Sequence, residues 1–264
     1  MHIRTITRAL AIGGLLLGAT ALTTPAFAQD VKTITGGFDV GPGGFPKNFN
    51  PLAATGGFTW LNTYFEPLVI YNAGLNAIEG DLATDYTVSD DMLTYTFTLA
   101  EETWHDGEAF TSADVKFTLD LIRNAASGSV FTGRLGKIAN VEAPDDRTVV
   151  VTLSEADGGL LSVLAQVMIL PEHALASIAP ESIATSTWWS TTPIGTGPFK
   201  FTRYVTDQYV ELAADEDYRR GTPKVDRLIN RYFENPAAAV AALRAGEIQF
   251  TYVEPEDAAT FAGN

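Results

Sequence analysis

"TYTFTLAEETWHDGEAFTSADVKFTLDLI", residues 94–122, changes its period part-way along. From Thr94 to Leu99, threonines alternate with Tyr95, Phe97 and Leu99, continuing a register that Leu93 begins. A period of two built from aromatic and β-branched residues predicts an antiparallel strand with one buried face. Trp104-His105-Asp106-Gly107 then supplies the residues of a turn. From Thr111 the period is helical: Val115, Thr118, Leu119 and Ile122 share a face, with Phe117 and Leu121 beside it. Thr111 and Asp114 have the spacing of an N-terminal cap, although the acid of a capping box is usually Glu or Gln. Strand, turn and helix therefore follow in order.

His105 beside Asp106 raises the question of chemistry. A nucleophilic system needs a Ser, Cys or Thr within reach of a base, and a group behind the base to orient it. Neighbours on an extended chain point to opposite sides, and no Gly-x-Ser-x-Gly elbow occurs in the chain. The stretch reads as a structural corner in which Trp104 plugs the core and Asp106-Gly107 makes the bend.

The flanking chain is mixed. Lys32 to Val40 reads as a first strand running into the loop Gly41 to Pro46 and on through Asn48-Phe49-Asn50-Pro51. Phe58 to Tyr71 reads as helix then strand. Pro144-Asp145-Asp146 is a turn before a strand at Thr148 to Leu153, and Gly159 to Ile169 an apolar helix ended by Pro171. Ser186 to Thr192 reads as an aromatic loop, Phe199 to Tyr204 as a strand, and Asp207 as the turn of a hairpin returning through Tyr209 to Leu212. Val225 to Phe233 is a further strand. Asn235, Pro236 and Gly246 bracket a helix, and Glu247 to Val253 is a last strand. Without regular βαβ repetition, the fold class expected is mixed α/β, of the α+β kind.

The first 28 residues have the form of a secretory leader: Arg4 and Arg8, an apolar run from Ala9 to Leu22, and Ala26-Phe27-Ala28 before Gln29. Cysteine is absent, which excludes disulfides and attachment through a lipidated cysteine. The expected product is exported to the periplasm and unlipidated. Removing the leader leaves 264 − 28 = 236 residues, enough for one large or two medium domains. The leader holds two of the 17 basic residues and none of the 32 acidic ones, so the remainder carries 15 − 32 = −17. Such a charge repels nucleic acid and anionic lipid.

Metal and cofactor signals are weak. Outside the leader the histidines are His105 and His173, far apart in sequence. No calcium-loop pattern occurs, and Gly41-Pro42-Gly43-Gly44 lacks the lysine and following helix of a phosphate cradle. The acidic groups Glu211 with Asp215-Glu216-Asp217, and Glu254 with Glu256, read as solvated faces. No catalytic residue, metal or cofactor is expected. Trp188-Trp189 sits in a polar loop, where an aromatic pair serves either as a binding surface or as a packed anchor.

"LATDYTVSDDMLTYTFTLAEETWHDGEAFTSADVKFT" at 82–118 resembles the signature region of family 5 extracellular solute-binding proteins of ABC transporters, the oligopeptide-, dipeptide-, nickel- and cello-oligosaccharide-binding type. "NFNPL" at 48–52, "PIGTGPFKF" at 193–201, "YRRGTPKVDRL" at 218–228 and "AAAVAALRAGEIQF" at 237–250 are similar to further family segments, in the family's order. One departure is Ala100, followed by Glu101 and Glu102, where the family usually has Arg or Lys. Length is the other: the family runs on for roughly as many residues again, into a second lobe.

The resemblance implies a periplasmic binding protein-like lobe with an inserted subdomain. Residues 29–55 and 191–264 would form a discontinuous first domain, 56–190 an inserted second, and a third domain lies beyond this sequence. It implies no covalent chemistry: a peptide, or failing that an oligosaccharide, is captured in a crevice and delivered to ABC permease subunits in the membrane. By position in that architecture, the ligand-facing candidates are Gly43, Gly44, Phe45, Asn48, Trp188, Trp189, Thr196, Gly197, Tyr252 and Glu254. A secreted carboxylate-dependent hydrolase is the rival reading, and would need two carboxylates about 5–10 Å apart across a pocket, one with a raised pKa. An adhesion or scaffold module is a third.

Overall fold

The computed structural model describes residues 31–39, 49–53 and 61–261, the side chain of Asp257 apart. Two sheets carry most of the strands. The first combines β1 (Thr33–Asp39) with β8 (Phe199–Val205), β9 (Tyr209–Ala214), β10 (Arg227–Phe233) and β11 (Phe250–Thr251), in the order β11-β1-β10-β9-β8. β1 runs parallel to both β10 and β11, whereas β8, β9 and β10 form an antiparallel meander. The second sheet, β4 (Ala83–Val88), β5 (Thr94–Leu99), β6 (Ile138–Asp145) and β7 (Thr148–Leu153), is antiparallel in the order β4-β5-β7-β6. A small hairpin of β2 (Val69–Tyr71) and β3 (Ile78–Gly80) precedes it.

The opening stretch folds as its period dictates. Tyr95, Phe97 and Leu99 of β5 are buried, against Val149 and Val151 of β7. Helix α1 (Ser112–Arg123) buries Val115, Thr118, Leu119, Leu121 and Ile122. Its cap uses an aspartate in the place of the usual glutamate: Ala113 N–H donates to Thr111 Oγ1 at 3.3 Å, and Thr111 N–H to Asp114 Oδ2 at 2.9 Å.

Elsewhere the elements differ from expectation for local reasons. Pro144 lies inside β6 rather than in a turn, tolerated because β6 is an edge strand. The apolar run 159–169 is helical only over α2 (Leu160–Leu164). Beyond it the backbone extends, Met168 bridging Pro67 and Ile169 N–H donating to Glu66 O at 3.0 Å. Continuous burial of Val167 to Leu170 gives helix and buried strand the same sequence signal. The short helices α3 (Glu172–Leu175) and α4 (Pro180–Ile183) follow, and then α5 (Trp188–Thr191) where an aromatic loop was expected. β4 and β6 carry no clean alternation, because both are edge strands with register shifts. Helix α6 (Pro236–Arg244) is capped by Asn235, whose Oδ1 accepts from Ala238 N–H at 2.9 Å, and it closes at Gly246 in a left-handed conformation.

One buried cluster runs from Phe38, Val210, Leu212 and Leu228 of the first sheet to the inward residues of the second. The return segment 193–199 is bonded to the segment that precedes β2. Gly197 N–H donates to Tyr64 O at 2.8 Å, and Phe199 N–H to Thr63 O at 3.1 Å. A Cβ on Gly195 or Gly197 would stand 2.1 or 2.7 Å from Tyr64 backbone atoms, so both positions require glycine.

Candidate ligand-facing site

The parallel strands β1, β10 and β11 finish at the same edge of their sheet, at Asp39, Phe233 and Thr251. In open sheets with parallel strands, ligands bind outside the carboxyl ends. A pocket of about 240 Å³ lies beside two of these ends, lined by Phe38, Thr63, Leu228, Asn230, Phe250, Thr251 and Tyr252. Its walls are aromatic: Phe38 meets Phe250 edge-to-face at 5.9 Å and lies 6.3 Å from the Tyr252 ring. Phe250 can lie there only because its β1 partner is glycine, since a Cβ on Gly36 would come within 2.3 Å of the ring. The Thr251 hydroxyl donates to Gly37 O at 2.9 Å.

Asn230 is the polar residue of this lining that strand alternation directs inward, on the face of Leu228. It is 1% exposed, and neither its Nδ2 nor its Oδ1 has a hydrogen-bond partner. An unmade hydrogen bond at a buried polar group costs on the order of 1–3 kcal/mol. The sequence contained a signal for this: an asparagine at an inward position between Leu228 and Tyr232. Phe38 and Phe250 also escaped sequence reasoning, their alternation being that of ordinary core.

Among the sequence-derived candidates, the structure places only Tyr252 in this lining, 49% exposed. Glu254 is exposed nearby in sequence. Gly43, Gly44, Phe45 and Asn48 lie outside the described residues. Trp189 is corrected to a packed anchor: it has no exposed surface, and its indole N–H donates to Ile183 O at 2.6 Å. Trp188 is half-buried and meets Trp189 edge-to-face at 4.9 Å. Thr196 and Gly197 are buried in the seam against Tyr64 and offer no surface to a solute in this arrangement.

The Trp-His-Asp-Gly corner belongs to that same seam. Trp104 is buried, its indole N–H donating to Asp114 Oδ2 at 3.3 Å. His105 N–H donates to Gly195 O at 2.9 Å, and its Nε2 lies 2.8 Å from Gly197 O, the geometry of a donor to a carbonyl. Burial lowers the His105 pKa, which favours the neutral ring. Asp106 turns away to His173 Nε2 at 2.9 Å. The two neighbours thus serve different contacts, as adjacent residues should.

Charge is concentrated elsewhere. Glu66 and Asp81, with side chains 1% exposed, face Arg219, which bonds both. Arg220 reaches Glu66 Oε1 at 3.1 Å and Asp81 Oδ1 at 3.2 Å. The Tyr218 hydroxyl donates to Glu66 Oε1 at 2.5 Å, and Glu102 Oε2 stands 3.5 Å from Arg219. Burial, and then the Glu66 carboxylate, push the Asp81 pKa up to about 6 against the pull of both arginines. Among the described residues no group of three or more His, Cys, Asp and Glu is placed to hold a metal. No described helix is long and apolar enough to cross a membrane.

Comparison with known proteins agrees with this architecture. A protein of Brucella abortus, provisionally named as an ABC transporter peptide-binding protein, is 61% identical over 264 residues, covering 100% of this chain and 50% of the relative. The oligopeptide-binding protein AppA of Bacillus subtilis, solved with a nonapeptide, superposes with a TM-score of 0.79 at 28% identity, over 86% of this chain and 45% of that one. NikZ of Campylobacter jejuni, solved with Ni(L-His), gives 0.77 at 28% identity, over 88% and 45%. The chain therefore spans about half the length of the relatives it matches. The profile described as bacterial extracellular solute-binding proteins, family 5 Middle, matches residues 77–264. Its members are binding proteins of transport rather than enzymes, and the chain belongs to this family.

Proposed function

We propose that this chain contributes one half of the extracytoplasmic solute-binding component of an ABC importer, and that its solute is a peptide delivered to membrane permease subunits. The observation that carries the reading is identity of 61% across the whole chain with proteins provisionally named as peptide-binding. The aromatic pocket at the carboxyl ends of β1 and β11 supports it, since aromatic walls with few polar groups suit an organic solute. An oligosaccharide is less well served, because Trp189, one of the tryptophans available for stacking on sugar faces, is sealed in the core.

A hydrolase would need an accessible carboxylate pair. The buried carboxylates Glu66 and Asp81 are clamped by Arg219 and Arg220, and neither lines the aromatic pocket. In the proposed division, residues 29–55 and 191–264 form one domain and 56–190 a second inserted into it. The leader 1–28 is removed on export and the product begins, unlipidated, at Gln29. N-terminal sequencing of the exported protein checks this, and an intact Met1 overturns it.

A two-lobed receptor surrounds its ligand, and one lobe alone supplies about half of the contacts. Losing even ~4 kcal/mol of them weakens binding about a thousandfold. Calorimetry with a peptide library and a cello-oligosaccharide series, on this chain and on a version extended through the remaining half of a relative, tests the proposal. Peptides should bind the extended protein in the micromolar range or tighter and this chain near millimolar. Binding of sugars but not peptides, or of neither, by the extended protein overturns the reading.

A further inference from the structure

We propose that the Asn230 pocket is a subsite for one primary carboxamide, the side chain of a glutamine or asparagine in the bound peptide; the inference rests on the peptide-binding reading above. Asn230 sits in the middle of its sheet, with Gly36 on one neighbouring strand and Val210 on the other. Neither neighbour has a polar side chain, so the strand register itself denies the amide a partner. Among the described residues, Asn230 is the one whose buried side chain leaves both a donor and an acceptor unmatched. The wall around it is Phe38, Leu228, Phe250 and Tyr252, with Thr63 and Thr251. The Thr251 hydroxyl is already committed to Gly37 O.

The unmatched pair selects its guest by chemistry. A carboxylate offers acceptors only, and an ammonium or guanidinium offers donors only, so each would leave half of the amide unpaired and bury a charge as well. A trans peptide bond carries its N–H and C=O on opposite edges and meets the amide with one group at a time. A primary carboxamide carries C=O and an N–H side by side, and two such groups close a pair of hydrogen bonds. Volume points the same way. A cavity of about 150 Å³ admits benzene, whereas whole small-molecule ligands occupy about 300–1,000 Å³. A pocket of about 240 Å³ takes one side chain. Both polar atoms of Asn230 are sealed from bulk water, so pairing requires a turn about its terminal torsion, which in asparagine is broad.

The test is a titration of the ¹⁵N-labelled chain with Gly-Gln-Gly, Gly-Leu-Gly, Gly-Glu-Gly and Gly-Gly-Gly, followed by NMR, which reads millimolar binding. The Asn230 side-chain NH₂ pair is the one missing from the spectrum of Asn230→Leu. Gly-Gln-Gly should move that pair and bind about tenfold more tightly than Gly-Leu-Gly. The preference should vanish in Asn230→Leu, and also in Asn230→Thr should leucine disturb the strand. Equal binding of the Gln and Leu peptides overturns the proposal. Equal displacement of the NH₂ pair by Gly-Gly-Gly assigns the contact to a main-chain amide, and tighter binding of Gly-Glu-Gly assigns the site to a carboxylate; either overturns it. Peptide-induced shifts elsewhere with none at Asn230 leave peptide binding standing and sink the subsite. No shift anywhere, with any peptide, sinks both.

Discussion

Arg219 and Asn230 are both polar residues drawn into the interior, and their surroundings are opposite. Arg219 lies in a knot where two arginines and a tyrosine meet Glu66, Asp81 and Glu102, drawn from segments more than a hundred residues away. The Asn230 side chain, eleven positions on, has no hydrogen-bond partner. A buried charge is tolerable only when paired, whereas a neutral amide can be left unpaired at modest cost. The knot therefore holds the chain together, and the amide is held in reserve for something that arrives later. A polar side chain that bonds to distant segments ties the fold together even where one of its atoms stays unmatched, whereas one with no bond at all ties nothing.

The largest effect that would break this contrast is at the knot. Arg219→Met leaves Glu66 and Asp81 buried with only the half-exposed Arg220 to balance them. We expect a loss of about 3–5 kcal/mol, read as a lower urea midpoint. A loss under ~1 kcal/mol would mean that the knot is ornamental. Trp104→Ala, at the corner that joins the two sheets, should cost a similar 3–5 kcal/mol through its cavity and the lost bond to Asp114.

A smaller effect sharpens the account of the knot. It contains three carboxylates against two arginines, and Asp81 Oδ2 has no partner. The Asp81 pKa is raised from 3.8 to about 6, so the folded state holds a proton that the unfolded state has released between those values. Stability from this group is complete below pH ~4 and is lost as pH rises through ~6, the reverse of an ordinary salt-bridged aspartate. Asp81→Asn keeps the neutral form at every pH. Its stability deficit relative to the parent should thus shrink by about 1–1.5 kcal/mol between pH 5 and pH 7.5. Thermal scans at the two pH values decide it, and a deficit that grows with pH means that the arginines outweigh burial.

How much of this was legible in the sequence depends on how local the cause is. The 94–122 corner was readable because strand alternation, turn residues and helical period are properties of adjacent residues. Even the Thr111–Asp114 cap, an aspartate standing where glutamate is usual, is a contact over three positions. The edge strands β4 and β6 were not readable, because their register shifts answer to partner strands rather than to their own pattern. Helix α2 stops at Leu164 because Ile169 bonds to Glu66, a hundred residues earlier. The site was the least legible. Trp188-Trp189 resembles a binding surface in any loop, and only the path of Ile183 shows Trp189 to be an anchor. Asn230 looks ordinary until β1 and β9 are seen to offer it glycine and valine.

The smallest expected effect bears most directly on the contrast. If the Asn230 amide is kept for a guest, the empty protein bears its cost and removing it should help. Asn230→Leu replaces the unpaired amide with an apolar side chain on the face shared with Leu228, beside a pocket of about 240 Å³ that can absorb the small increase in bulk. The unmade hydrogen bonds no longer count against the folded state, and overpacking, which elsewhere costs ~1–3 kcal/mol, has room to relax. We expect a gain of about 1 kcal/mol, or roughly 2–4 °C in melting temperature for a chain of this size. A structural asparagine would behave in the opposite way, since its loss would leave partners unpaired. If Asn230→Leu melts several degrees below the parent in the absence of peptide, the amide is supporting the sheet, and the distinction drawn from Arg219 fails at the residue that matters most to it.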